Sequence, residues 1–239
     1  MEPVIILAGG FGTRLNSVLN GAPKPMANIN GIPFLELLID NLIINGFSDF
    51  ILSLHFKAQE IVNYFKDKNY KIRFIIEDEP LGTGGAVALI VKELSLSGYI
   101  YITNGDSWMD FGYSKFKNEE RNVISLIEVN NTSRYGRVKV SENNEIIKFL
   151  EKADVKEKGL INSGFYKLNS NIFKGYDTKS FSIETELFPS LVNNNNLFGK
   201  IINANFIDIG IPEDYHKFCK LEKSGAIRRT NLNTNSLNR

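Results

Sequence analysis

The sequence predicts an α/β fold in which a mostly parallel sheet flanked by helices gives way to a β-rich second half. Three observations predict it. Short apolar runs that suit buried strands alternate with segments of helical periodicity from Val4 to Thr103. The first run, Val4-Ile5-Ile6-Leu7-Ala8, ends in Gly9-Gly10-Phe11-Gly12, where the backbone can approach a ligand without Cβ clashes. Past Val123, strand patterns follow one another instead.

Taken in order, the strand at 4–8 leads into a loop carrying Thr13-Arg14-Leu15 and, further on, Pro23-Lys24-Pro25-Met26. The two prolines disfavour helical geometry at Ala22 and Lys24, so an extended loop is expected there. Periodicity then gives an amphipathic helix at 33–45, a strand at 50–54, a helix at 58–66, a strand at 72–77, a helix at 84–94 and a strand at 99–103. Right-handed crossovers between such strands place ligand sites at their carboxyl ends. The β-rich half reads as strands at 123–129, 136–140, 146–150 and 161–168, with Glu142-Asn143-Asn144 as a hairpin turn. It is expected to form a lid over a second substrate.

Composition bounds the class. A chain of 239 residues, 43% of them hydrophobic, can build one sizeable core, and a net charge of +1 indicates no polybasic surface for nucleic acid. One domain is expected over 1–224. No apolar stretch is long enough to span a bilayer, and Met1-Glu2-Pro3 lacks the basic start of a secretory signal. Cys219 is the single cysteine, so no intramolecular disulfide can form; it fits a cytoplasmic protein and packing in a C-terminal helix. Residues 225–239, rich in Asn, Thr, Ser and Arg, read as a disordered tail. A homodimer is the default assembly.

The glycine loop points to phosphate chemistry. Backbone amides in such a turn cradle an anion, while Arg14 offers a planar fork and Lys24 a point charge. No Walker loop occurs, and the dinucleotide pattern fails because Leu15 stands at its third glycine. Asn104-Gly105-Asp106 follows the apolar run at 99–102 and puts a carboxylate at the sheet edge, which suits Mg²⁺ or, read alone, a simple turn. Leu81-Gly82-Thr83-Gly84-Gly85-Ala86 is a second glycine cluster. The bare backbone and helix N-terminus there can face a flat ligand or an anion; the alternative is loop punctuation. Glu77 and Glu79 are candidate acceptors for a base edge.

Gly-Gly-x-Gly-Thr-Arg-Leu with a downstream Pro-Lys-Pro resembles the sugar-1-phosphate nucleotidyltransferase family, over Val4 to about Phe218. Within it the chain is most similar to the branch that joins GTP to D-glycero-α-D-manno-heptose 1-phosphate. The resemblance implies a Rossmann-like fold, with 1–120 holding the nucleotide and 121–224 the sugar phosphate. It implies a nucleotide site of Leu7, Ala8, Gly9, Gly10, Gly12, Thr13, Glu77, Leu81, Gly82 and Thr83, with Arg14 and Lys24 catalytic. It pairs Asp208 with Asp106 across Mg²⁺. It puts Tyr135, Gly136, Asn162 and Gly164 beside the sugar, Glu151 on its hydroxyls and Lys152 on its 1-phosphate. Ser163 departs from the smaller residue usual there. Glu184 is either a further sugar contact or a first-turn helix acid near a Ser182 cap. The substrates implied are a nucleoside triphosphate and a sugar 1-phosphate, the product an NDP-sugar for surface polysaccharide, and no histidine is required, so His55 and His216 read as structural or exposed. Another base or sugar, and a catalytically silent nucleotide-sugar sensor, are the alternatives.

Overall fold

Alternation along β1 (Val4–Leu7) sets a layered plan, since Val4 and Ile6 enter one buried cluster and Ile5 another on the opposite face of the sheet. The computed structural model describes residues 2–10, 12, 15–19, 21–150, 156–176 and 179–230. After α1 (Asn16–Leu19) come a small hairpin of β2 (Asn28–Ile29) and β3 (Ile32–Pro33), then α2 (Phe34–Ile44), β4 (Phe50–Leu54), α3 (Ala58–Phe65), β5 (Ile72–Ile76), α4 (Gly82–Glu93) and β6 (Tyr99–Asn104). β1, β4, β5 and β6 pair in parallel. Phe34, Leu37 and Leu38 of α2 and Ile61 and Phe65 of α3 cover one face, while Val87, Ile90 and Val91 of α4 cover the other. Each such side chain contributes roughly 1.5–3 kcal/mol by leaving water. Leu7 stands opposite both Ser53 and Asn104, so the carboxyl ends of β1, β4 and β6 lie at one level.

The second half extends this sheet rather than capping it. Following β7 (Ser107–Met109) come β8 (Val123–Val129), β9 (Arg137–Val140), β10 (Ile146–Leu150) and β11 (Gly159–Asn169). β11 pairs antiparallel with β6, β8 and β9, so the expected lid is a continuation of one nine-stranded sheet. A bulge between Asn162 and Tyr166, with Gly164 at φ +81°, re-aims side chains at the middle of β11. A π-helical turn at Ile183–Leu187 leads into α5 (Phe188–Asn193), β12 (Phe198–Ile201), β13 (Phe206–Asp208) and α6 (Pro212–Lys223). β13 pairs with β7, opposing Asp208 to Ser107.

Two expectations need correction. The stretch before β2 is not an extended loop: α1 forms a helical turn and Lys24–Met26 a 3-10 turn. Pro23 precedes that turn at φ −60°, ψ 143°, so the prolines enter and tighten the turn instead of preventing it. The C-terminal segment packs on the body as far as Thr230. Ile227 is buried, Thr230 Oγ1 donates to Asp40 Oδ1, and Arg229 Nε lies 3.9 Å from Asp40 Oδ2. Residues 231–239 lie outside the described residues.

Candidate active site

Lys24, Asp106 and Asp208 converge at the carboxyl end of the sheet. Gly105 makes the approach possible, because its amide donates to Leu7 O at 2.9 Å and a Cβ there would stand 2.7 Å from that oxygen. Asp106, the next residue, therefore sits beside β1, and its own carbonyl accepts from Ile209 N at 3.0 Å. Asp208 comes in on β13, its Oδ1 accepting from Gly210 N at 2.8 Å. The Lys24 ammonium pairs with Asp106 Oδ2 and lies 3.6 Å from Asp208 Oδ1. Burial, and then the charge of Asp106, push the Asp208 carboxyl above the ordinary aspartate value, against Lys24, the Gly210 amide and Arg134. Gly12, at φ +64°, backs Lys24 so closely that a Cβ there would be 2.6 Å from the lysine Cβ.

This donor set tests the expected metal. Among the described residues no cluster of three or more His, Cys, Asp or Glu side chains exists, so no cage is offered to zinc or calcium. Two hard carboxylates that leave further positions to phosphate oxygens and water do suit Mg²⁺.

Beside the carboxylates opens a cavity of about 320 Å³. Leu7, Gly9 and Gly10 line one side and Ser53, His55 and Glu77 another; Gly82, Thr83 and Glu184 face them. Glu77 is buried, accepting from Ser53 Oγ at 2.8 Å on Oε1 and from Leu81 N at 3.0 Å on Oε2. Its neighbour Glu79 is exposed and stands off the cavity. Leu81 does not line the cavity: its amide goes to Glu77 and its carbonyl accepts from Phe181 N at 3.0 Å.

The second glycine cluster packs tightly against a distant part of the chain. Gly82 takes φ +68°, and a Cβ there would be 2.6 Å from Phe181 O. At Gly84 a Cβ would enter the Phe181 ring, and at Gly85 it would be 2.5 Å from Lys179 O. Phe181 O also accepts from Gly84 N at 2.9 Å. Two amides in the first turn of α4, those of Gly84 and Gly85, are thus satisfied by this protein's own chain.

On the sugar side, Asn162 Oδ1 accepts from Gly164 N at 2.9 Å and its amide nitrogen donates to Tyr166 Oη at 2.9 Å. Tyr166 donates to Glu184 Oε1 at 3.3 Å, and Glu184 Oε2 accepts from Thr83 Oγ1 at 2.8 Å and Ser182 Oγ at 3.0 Å. Glu184 is thus a first-turn acid beside the Ser182 cap, whose side chain also accepts from Thr185 N. Ser163 is buried away from this network, its hydroxyl 2.7 Å from Ser125 Oγ, so its bulk is taken up in the core. Tyr135 and Gly136 lie in the loop before β9, with the Tyr135 ring 5.9 Å from that of Phe206. Arg134 in the same loop pairs with Asp214 at the start of α6.

Residues 3–224 match the family described as Nucleotidyl transferase. The chain belongs to the nucleotidyl transferase family. It is 42% identical over 218 residues to a D-glycero-alpha-D-manno-heptose 1-phosphate guanylyltransferase of Campylobacter jejuni, covering 90% of this chain and 97% of that one. It is 36% identical over 223 residues to the protein of the same name from Aneurinibacillus thermoaerophilus, covering 89% and 95%. A crystal structure of HddC from Yersinia pseudotuberculosis complexed with GMP-PN superposes with a TM-score of 0.81 at 40% identity, over 92% of this chain and 99% of the other.

Within this nucleotidyl transferase, the site residues expected from sequence divide three ways. Lys24, Asp106 and Asp208 meet at one point, and Leu7, Gly9, Gly10, Glu77, Gly82, Thr83 and Glu184 line the adjoining cavity. Ala8 is buried below the loop, and Leu81 is turned away. Thr13, Arg14, Glu151 and Lys152 lie outside the described residues. Sequence reasoning missed Ser53, His55, Tyr166 and Arg134. His55, expected to be structural or exposed, does make a structural bond, its Nδ1 donating to Glu77 O at 2.9 Å, and it also lines the cavity. The signal available for Ser53 and His55 was their place at the carboxyl end of β4. His216 is exposed on α6.

Proposed function

We propose that this protein transfers GMP from GTP to a heptose 1-phosphate, releasing pyrophosphate and forming a GDP-sugar for surface polysaccharide. The observation that carries the reading is the meeting of Lys24 with Asp106 and Asp208 beside a cavity whose wall presents the Glu77 carboxyl. The likeness to heptose 1-phosphate guanylyltransferases supports the choice of substrates.

The nucleophile is an oxygen of the sugar 1-phosphate. Its second pKa is near 6, so it is mostly dianionic at neutral pH and needs no general base. Repulsion between two polyanions is the main obstacle, and positioned positive charge is the remedy. Asp106 and Asp208 would hold Mg²⁺, which supplies charge neutralisation at the reacting phosphates. Lys24, paired with Asp106 beside the cavity, would turn to a phosphate oxygen once Mg²⁺ takes the carboxylates, and Gly9 and Gly10 would let the triphosphate close on the backbone. We assign Arg14 to the triphosphate, Lys152 to the acceptor phosphate and Glu151 to its hydroxyls by resemblance. Tyr135, Gly136, Asn162 and Gly164 would border the sugar. For the base, Glu77 faces the cavity with acceptor capacity beyond its bonds to Ser53 and Leu81, which suits the N1 and N2 donors of guanine. We place the reaction in the cytoplasm.

The test is pyrophosphate release with GTP, ATP, CTP, UTP and dTTP at equal concentration, each against heptose, mannose and glucose 1-phosphates. GTP should lead by about tenfold or more, because a wrong base leaves buried acceptors unpaired. A preference for CTP or dTTP would overturn the guanylyl assignment.

A further inference from the structure

Thr83 and Glu184 line the cavity, and a chain of hydrogen bonds runs from them through Tyr166 to Asn162 on the bulge of β11. The hydrogen-bond directions along this path are fixed by what each atom can do. Gly164 N can only donate, so it fixes the Asn162 amide with Oδ1 toward itself and the nitrogen toward Tyr166. Tyr166 Oη must then accept from Asn162, and its own proton goes to Glu184 Oε1. From the other side, Ile183 N donates to Thr83 Oγ1 at 2.9 Å, so the threonine proton goes to Glu184 Oε2. Both arms therefore end as donors on Glu184. Tyr166 is fully buried, and desolvation followed by the Glu184 charge raises its pKa well above the ordinary tyrosine value, which keeps the phenol proton in place.

We propose that Tyr166 is a positioning residue that couples the two substrate subsites, by fixing Asn162 on the sugar side to Glu184 and through it to Thr83 on the nucleotide side. The proposal rests on the guanylyltransferase reading of the cavity. Tyr166 is buried and does not line the cavity. Its ring packs at 5.1 Å against that of Phe188, so removing the hydroxyl alone leaves the packing in place. A nucleotide that orders Thr83 thereby orders Glu184, Tyr166 and Asn162 before the sugar phosphate arrives, and the second substrate binds to a prepared site.

The experiment compares wild type with Tyr166→Phe. Calorimetry measures the Kd of the sugar 1-phosphate with and without a non-hydrolysable GTP analogue, and steady-state rates give kcat and each KM. In the wild type the analogue should tighten sugar-phosphate binding several-fold. Tyr166→Phe should abolish that gain, so that the sugar phosphate binds the nucleotide complex about three- to tenfold more weakly, the span of one or two hydrogen bonds, while the Kd of the GTP analogue for the free enzyme stays within twofold. Thr83→Val, which keeps the shape and removes the other donor, should also abolish the gain. If Tyr166→Phe retains the wild-type gain, or weakens the GTP analogue's binding to the free enzyme as much as it weakens the sugar phosphate's, the coupling role is overturned. Wild-type turnover measured in parallel separates the two claims. A wild type silent toward every sugar 1-phosphate overturns the reaction and the proposal together, whereas an active wild type matched by an unaltered variant overturns the proposal alone.

Discussion

Gly10 and Gly82 border the same cavity for opposite reasons. At Gly10, in the loop after β1, a Cβ would meet nothing within 4 Å and the residue faces the cavity. At Gly82, Gly84 and Gly85 the space is already filled by Phe181 and Lys179. Gly10 leaves room for a ligand, whereas Gly82, Gly84 and Gly85, like Gly12 behind Lys24, leave room for another part of the chain. A glycine run before a helix is thus no sign of a ligand until the backbone opposite it is known.

The largest effect should come from the corner that the loop after β1 adjoins. Asp106→Asn is expected to lower kcat by a hundredfold or more, equivalent to about 2.7 kcal/mol, with an unchanged melting temperature. Turnover within threefold of wild type at saturating Mg²⁺ would remove Asp106 from the chemistry. Next, Gly84→Ala should destabilise the fold by about 1–3 kcal/mol, because the new methyl overlaps the Phe181 ring. Urea unfolding measures this, and an unchanged midpoint would show that Phe181 is not held against α4. Gly10→Ala should reverse the pattern: its φ is outside the left-handed range and a methyl has space, so stability should stay within about 0.5 kcal/mol. Its GTP KM should rise about tenfold, or roughly 1.4 kcal/mol, and a normal KM would show that the triphosphate does not approach there. Smallest of all, Glu79→Gln should leave the GTP KM within twofold, about 0.4 kcal/mol, since that side chain points to solvent.

The sheet of the first half was legible because strand and helix periods are local properties, and β1, β4, β5 and β6 fall within a residue or so of their predicted ends. Asp106 was legible for the same reason, standing just past an apolar strand. What escaped was set by partners far away in sequence. The docking of Phe181 on Gly84, and of β11 on β6, joins segments whose own residues give no sign of the pairing. Tyr166 reads as one more apolar position in a strand until its hydroxyl is seen between Asn162 and Glu184. The 3-10 turn at Lys24 shows the converse, since two prolines that argue against a long helix are compatible with a turn of three residues.

Asp40 on α2 is 1% exposed and takes its donors from Tyr70, 2.8 Å away, and from Thr230, with Arg229 as countercharge. A chain cut after α6 would leave that carboxyl buried with a phenol for company and would uncover the seat of Ile227. The solvation of one side chain thereby decides how short the polypeptide can be made. A shortened chain should therefore keep Thr230, seven residues beyond the end of α6.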